Sequence, residues 1–298
     1  MRLAIFDDWR LGAVGTDHAS ITDVTDALPE PHSGEPFGAG WWVRLCRDFA
    51  QIGPRLAAAA RGGTARPLHE VRLRAPVLNP GKIVACASNY TAHIAEMRES
   101  VMPRETSGTG AWLLDFDVFL KAPSSISGPD DPVLLPEAPL AAGREIHHES
   151  ELSLVIGPGG KDIPEETALS HVLGYLIGLD LTERGTGDRS RRKSYETFTP
   201  LGPWLTTAEE AGAPDAFDIE LRIGTVVRQK VSTADMITPV ARIIAHASRL
   251  MRLEPGDVIM TGAPPGVGPI AAGDVIDVAI SGLGAMSLPV RKTGSSGS

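Results

Sequence analysis

The stretch HHESELSLVIG, residues 147–157, decides how this chain is read. Successive side chains of a β-strand point to opposite faces, so Glu149, Glu151 and Ser153 share one face and Leu152, Leu154 and Ile156 the other. One face is apolar and the other is doubly acidic. Two neighbouring carboxylates repel each other, and on a partly buried strand they need a compensating cation. A hard divalent ion with oxygen ligands supplies it. An edge strand that leaves both glutamates in solvent fits the same pattern, and spacing alone does not choose. His147 and His148 resemble further ligands, yet adjacent strand residues face opposite ways, so at most one could join the glutamates.

Working outward, Asp180 ends the apolar run YLIGLD, residues 175–180, where an acid is costly without a partner. Three carboxylates, with water or substrate oxygens completing the shell, describe a Mg²⁺ or Mn²⁺ centre open to chemistry; Ca²⁺ suits the same ligands. In NYTAHIAEM, residues 89–97, His93 and Glu96 stand three apart, so one helical turn brings them within hydrogen-bonding reach. A carboxylate-backed imidazole is the natural general base for taking a proton from water near neutral pH. The same spacing also describes an ordinary surface pair. The loop TGAPPGVG, residues 261–268, lets backbone approach a ligand closely, but it lacks the Gly-Lys-Ser/Thr ending of a phosphate-binding loop.

From about residue 76 the chain shows short apolar runs punctuated by glycine and proline, among them KIVACAS, DVFLKAP, VIMTGAP and DVIDVAI, which predict a strand-rich core. Helices are expected at Pro164–Val172 and Met236–Met251, the second with Val240, Ile243, Ile244, Ala247 and Leu250 on one stripe. The leading part, residues 1–75, reads as a small domain with a strand over Leu3–Phe6. A helix over Val43–Ala60 stops at Gly62 and Gly63. Residues 293–298, TGSSGS, read as a flexible tail. A formal charge of -9 and a pI near 5.4 argue against nucleic acid as a partner. The sequence shows no apolar run long enough for a membrane span and no signal peptide, and Cys46 and Cys86 are too few for a disulfide framework. A reducing cytoplasm is the expected compartment.

Six blocks in order resemble the catalytic domain of the fumarylacetoacetate hydrolase family: KIVACASNYTAHIAEM, FLKAPSSISGPDDPVLLP, HHESELSLVIG, GYLIGLDLTERG, KSYETFTPLGPW and LEPGDVIMTGAPPGVGPIAAGD, spread over residues 82–290. The resemblance implies an α+β fold, a mixed strand-rich roll over residues 76–292 with flanking helices, and a homodimer. It places the family's Mg²⁺ or Mn²⁺ ligands on Glu149, Glu151 and Asp180, and its His-Glu dyad, carried on a lid, on His93 and Glu96. Lys193 matches a lysine that reaches the substrate oxygens. Tyr90, Arg184, Thr261 and Gly262 match substrate contacts, while neither His147 nor His148 matches a ligand.

The implied chemistry is metal-dependent hydrolysis of a carbon–carbon bond in an acylpyruvate-like 2-oxo acid or a 1,3-diketone. Decarboxylation, hydration or isomerisation could use the same parts, and a non-catalytic metabolite binder is the other class. Two departures bear on the substrate. After Asp180 the chain reads Leu-Thr-Glu183-Arg184-Gly185 where the family commonly has Val/Met-Ser/Thr-Ala-Arg-Asp, and GTGDRSRRK, residues 185–193, offers arginines where many relatives carry a glutamine. The segment ESVMPRETSGTGAWLLDFD, residues 99–117, is longer than its family counterpart.

Overall fold

The computed structural model describes residues 1–29, 40–96 and 116–294. Within them the apolar runs become the middle of one large sheet. Ser150–Ile156 pairs antiparallel with Val172–Leu179, Glu151 opposite Gly178, and both strands are buried along their length. Val258–Met260 flanks Ser150–Ile156 on its other side, followed by Ile83–Ala87 in parallel and Asp117–Lys121 antiparallel. The strand carrying Glu151 is therefore internal, which rules out the solvent-edge alternative.

Beyond Val172–Leu179 lies Thr199–Thr207, and Arg2–Phe6 joins it with Arg2 opposite Thr206. The strands of the leading segment, Arg10–Val14, Ser20–Asp23 and Ala65–Pro67, extend this same sheet to its edge. A second sheet runs in the order Val226–Ser232, Asp218–Ile223, Val275–Ile280, Gly284–Lys292, Val133–Leu135. Ile219, Leu221, Ile276, Val278 and Leu288 on it share one apolar core with Leu152, Leu154 and Ile177 of the large sheet. The result is an α+β architecture, as expected.

A small third sheet, Thr182–Glu183 with Ile146–His148 and Gly268–Ile270, positions the acids. Glu149 lies where the chain passes from Ile146–His148 to Ser150–Ile156, and Asp180 lies just beyond Val172–Leu179 on the way to Thr182–Glu183. The Asp180 amide donates to the Glu149 carbonyl at 2.8 Å, fastening the two crossings together. Satisfying these buried backbone groups holds both acids on rigid elements rather than on a free loop.

Three helical expectations shift. The helix expected over Val43–Ala60 is two, Gly40–Arg47 and Phe49–Gly62, because Asp48 leaves the helical region at φ -110 and ψ 23 and gives its carboxylate to Arg47. Pro164–Val172 is a 3-10 turn over Glu165–His171. The C-terminal helix begins only at Val240, after Pro239, whose missing N–H suits a helix start. Residues Ile237 and Thr238, expected inside it, instead donate backbone N–H groups to Asn89. Among the described residues no helix is long and apolar enough to cross a membrane.

Candidate metal and catalytic site

Glu149, Glu151 and Asp180 each present a carboxylate oxygen within 4.8 Å of the others. Glu149 is 4% exposed and the other two 0%, so none of the three charges is relieved by bulk water. The chain surrounds them with its own cations. Lys193 Nζ donates to Glu149 Oε2 at 2.6 Å and to Asp180 Oδ2 at 2.5 Å. Lys121 Nζ, fully buried, donates to Asp180 Oδ1 at 2.6 Å and to the Phe198 carbonyl at 2.8 Å. Arg184 Nη2 donates to Glu149 Oε1 at 3.0 Å.

These contacts split the glutamates electrostatically. Burial pushes the Glu149 carboxyl up, but the Lys193 ammonium and the Arg184 guanidinium outweigh it and hold the group well below the usual carboxylate range. Glu151 has no such partner. Burial, then the Asp180 charge, push it well above its ordinary value. Its Oε2 accepts from the Gly262 amide at 2.7 Å, and its Oε1 is buried with no hydrogen-bond partner among the described residues.

That orphaned oxygen, inside a set of hard carboxylate donors, is the observation that fits a divalent cation. The three ligand atoms all lie within 4.8 Å of one another, close enough for each to bond one ion at about 2.0 to 2.6 Å. The donor set is all oxygen, which favours Mg²⁺, Mn²⁺ or Ca²⁺ over thiophilic metals. His147 and His148 stay outside it. His147 Nε2 lies 2.9 Å from Glu145 Oε2, and His148 Nδ1 lies 3.2 Å from Gln229 Oε1.

Thr91–Glu96 is a short helix, and it brings His93 Nδ1 to 3.4 Å from Glu96 Oε2. Glu96 also accepts from the Gly266 amide at 3.0 Å. Burial raises the Glu96 carboxyl, but His93 and the backbone N–H of Gly266 more than offset this and leave it below its ordinary value. One loop joins the dyad to the carboxylates, since the Gly262 amide donates to Glu151 and the Gly266 amide, four residues on, donates to Glu96. Tyr90, fully buried beside the dyad, has a hydroxyl with no partner among the described residues. Burial, then the charges of Glu151 and Asp235, push its phenol up and keep it protonated.

The loop after Met260, expected to contact substrate, is also tied to the central strand that carries Glu151. The Thr261 hydroxyl donates to the Leu152 carbonyl at 2.9 Å, and the Gly262 amide is committed to Glu151. Gly262 has φ 102, and a Cβ there would lie 2.8 Å from the Asn89 Cβ, so glycine lets the loop press against the start of the dyad segment. Asn89, unremarked in the sequence, donates to the Thr261 and Thr238 carbonyls at 2.7 and 3.0 Å.

Lys121 was also missed, although a lysine inside the apolar run DVFLKAP is the kind of buried cation that demands an anionic partner. Glu183, where the family commonly has alanine, is buried and takes Tyr195 Oη at 2.7 Å together with the Arg144 guanidinium. Its backbone carbonyl accepts from Arg192 Nη1 at 2.9 Å, so it organises the arginine-bearing segment in front of Lys193. Of the long segment 99–117, only Phe116 and Asp117 lie within the described residues.

The family model for the fumarylacetoacetate (FAA) hydrolase C-terminal region matches residues 82–291. A maleylpyruvate hydrolase of Aquipseudomonas alcaligenes is 36% identical over 292 residues, 98% of this chain and 99% of its own. An oxaloacetate tautomerase of Xenopus laevis, mitochondrial fahd2, is 35% identical over 262 residues, 82% of this chain and 77% of its own. Among solved structures, maleylpyruvate hydrolase from Sphingobium sp. SYK-6, in complex with manganese(II) ion and pyruvate, superposes with a TM-score of 0.83 at 39% identity. The match covers 98% of this chain and 99% of that one.

Proposed function

Because this chain belongs to the fumarylacetoacetate hydrolase family, we propose that it is a divalent-metal-dependent hydrolase that cleaves a carbon–carbon bond of an acylpyruvate, with maleylpyruvate or a similar dicarboxylic acylpyruvate as substrate. The observation that carries this reading is the buried carboxylate triad with Lys193 seated on it and the His93–Glu96 dyad beside it.

Glu149, Glu151 and Asp180 would hold Mg²⁺ or Mn²⁺. When bound, the ion supplies Lewis-acid polarisation of a substrate carbonyl and stabilises developing negative charge. The Glu96 carboxylate accepts from His93 Nδ1–H, which leaves the Nε2 lone pair as the base. That lone pair removes a proton from water as the water oxygen bonds to the acyl carbonyl carbon. The bond from that carbon to the methylene then breaks, its electron pair passes to the pyruvate half as the enolate, and a proton returns to the former methylene carbon, which becomes the pyruvate methyl. The products are pyruvate and the acid of the acyl half. Lys193 has three N–H donors and commits two to Glu149 and Asp180, so the third remains for a substrate oxygen that gains charge.

An activated water separates this reading from decarboxylation and isomerisation, and the dyad supports it; hydration, which also adds water, would give one product instead of two acids. The test is turnover of acylpyruvates with and without a second carboxylate, fumarylacetoacetate and oxaloacetate, with Mn²⁺ or Mg²⁺ and after chelation. Metal-dependent release of pyruvate and a second acid, lost with chelator and restored by Mn²⁺, is the expected result. Release of CO₂ from oxaloacetate above the metal-only rate, with no acylpyruvate turnover, would replace hydrolysis with decarboxylation.

Arg189 supports the dicarboxylic class. Its guanidinium stacks over Phe119 at 5.2 Å and Lys193 Nζ lies 5.4 Å from the same ring centre, so the two cations are at most 10.6 Å apart, the sum of those distances. Glu183 takes up Arg144 and approaches Arg191, whereas Arg189 has no ion pair among the described residues and is left to meet a distal carboxylate. Arg189→Ala is expected to raise KM for a dicarboxylic acylpyruvate about tenfold, the worth of one charge-assisted hydrogen bond. Steady-state kinetics should show acetylpyruvate unaffected, and equal effects on both substrates would remove Arg189 from recognition.

The reading includes a homodimer in the cytoplasm. The free thiols of Cys46 and Cys86, both buried, suit a reducing compartment.

A further inference from the structure

Resting on the catalytic reading above, we infer that Gln229 is a positioning residue that sets the His93–Glu96 dyad at its distance from the metal-binding carboxylates. Gln229 comes from the second sheet, in the strand Val226–Ser232, where most side chains are exposed or half-buried and it alone is fully buried. Packing at such a position is cheaper with an apolar side chain, because a buried amide is tolerated only when its donors and acceptor are used.

Here they are all used. Gln229 Oε1 accepts from the Ser150 amide at 2.9 Å and from Ser150 Oγ at 3.1 Å, and it faces His148 Nδ1 at 3.2 Å. Gln229 Nε2 donates to the Pro264 carbonyl at 3.0 Å and the Pro265 carbonyl at 3.4 Å. One orientation of the amide satisfies both sets, since Ser150 offers a backbone donor and the prolines offer acceptors.

Both ends of this bridge lead to the site. Ser150 lies between Glu149 and Glu151 in the chain. Pro264 and Pro265 lie between Gly262, whose amide holds Glu151, and Gly266, whose amide holds Glu96. Gly266 has φ 88, and a Cβ there would stand 1.9 Å from the Arg228 carbonyl, so the loop is pressed onto the strand right beside Gln229. The amide therefore joins the backbone that carries two metal ligands to the loop that receives the dyad. Misplacing a general base by about 1 Å costs up to roughly a hundredfold in rate.

The test uses the Mn²⁺-loaded enzyme. Gln229→Leu is expected to leave Mn²⁺ affinity within about threefold and to lower kcat about ten- to a hundredfold with little change in KM. Gln229→Glu keeps the acceptor for Ser150 and loses the donations to the prolines, so it should show the same kcat loss. Combined with Glu96→Gln, Gln229→Leu should cost little more than Glu96→Gln alone, because both act through the dyad. A kcat within twofold of the parent, or losses that simply multiply, would overturn the inference. Amide hydrogen exchange gives a readout independent of turnover: Gln229→Leu should speed exchange at Gly266 and spare Leu154, inside the central strand. If the parent enzyme turned over no acylpyruvate, the catalytic reading would fail, whereas unchanged exchange at Gly266 would sink the bridge itself.

Discussion

Replacing Glu149 by alanine is expected to abolish stoichiometric binding of Mn²⁺ and Mg²⁺. Glu149 is one of three carboxylates whose oxygens lie within 4.8 Å of each other, and Lys193 and Arg184 hold it firmly in its charged form. Its loss leaves Glu151, whose carboxyl is pushed up by burial and by Asp180, as one of the two remaining ligands. Removing a partner of a ligand already weakens metal sites about ten- to a hundredfold, so loss of a ligand should exceed a hundredfold. Calorimetric titration with Mn²⁺ measures it, and a variant of unchanged affinity would sink the three-carboxylate assignment. Stability should also fall. Lys193 and Arg184 both donate to Glu149, and breaking buried ion pairs by deleting one partner costs about 3 to 5 kcal/mol. Thermal unfolding should therefore be measured beside the titration, so that a folded variant without metal is distinguished from an unfolded one.

The second large effect is expected at His93, with the opposite pattern. His93→Ala should leave Mn²⁺ affinity close to the parent, because the imidazole bonds to Glu96 and to none of the three carboxylates. The rate of carbon–carbon cleavage should fall by about 10² to 10⁴, the usual contribution of a positioned general base. Steady-state kinetics at saturating Mn²⁺, paired with the same metal titration, separates the two roles. Turnover of an acylpyruvate at the parent rate would show that another group activates the water. Glu96→Gln should lie between the two, since it weakens the support of the imidazole without removing the base.

Much of this site was legible locally. The alternation in HHESELSLVIG predicted that Glu149 and Glu151 would meet, and they do, although Glu149 falls just before the strand Ser150–Ile156; the three-residue spacing of His93 and Glu96 matched the helical turn that joins them. Both readings rest on backbone periodicity, which a few consecutive residues define. What periodicity could not decide was whether the acidic face looks at water. The answer came from the tertiary packing: Val258–Met260, about a hundred residues further along the chain, makes the strand internal, and both glutamates are buried. Likewise the helix expected from Met236 starts at Val240, because Ile237 and Thr238 bond with Asn89 instead of extending the turn.

By itself, then, the sequence showed the strand-rich texture and the acidic pattern, and its resemblance to the family named three carboxylates and a His-Glu pair as the candidate site. Only the tertiary structure supplied their cations and their braces: Lys121 on Asp180, Lys193 across Glu149 and Asp180, Gln229 between Ser150 and the prolines, Gly262 on Glu151. Each of these contacts spans from 13 to 111 residues of chain. Local pattern sets which way a side chain points, but a buried charge is stabilised by whichever partner the fold brings within hydrogen-bonding distance, and nothing in the neighbouring residues names that partner.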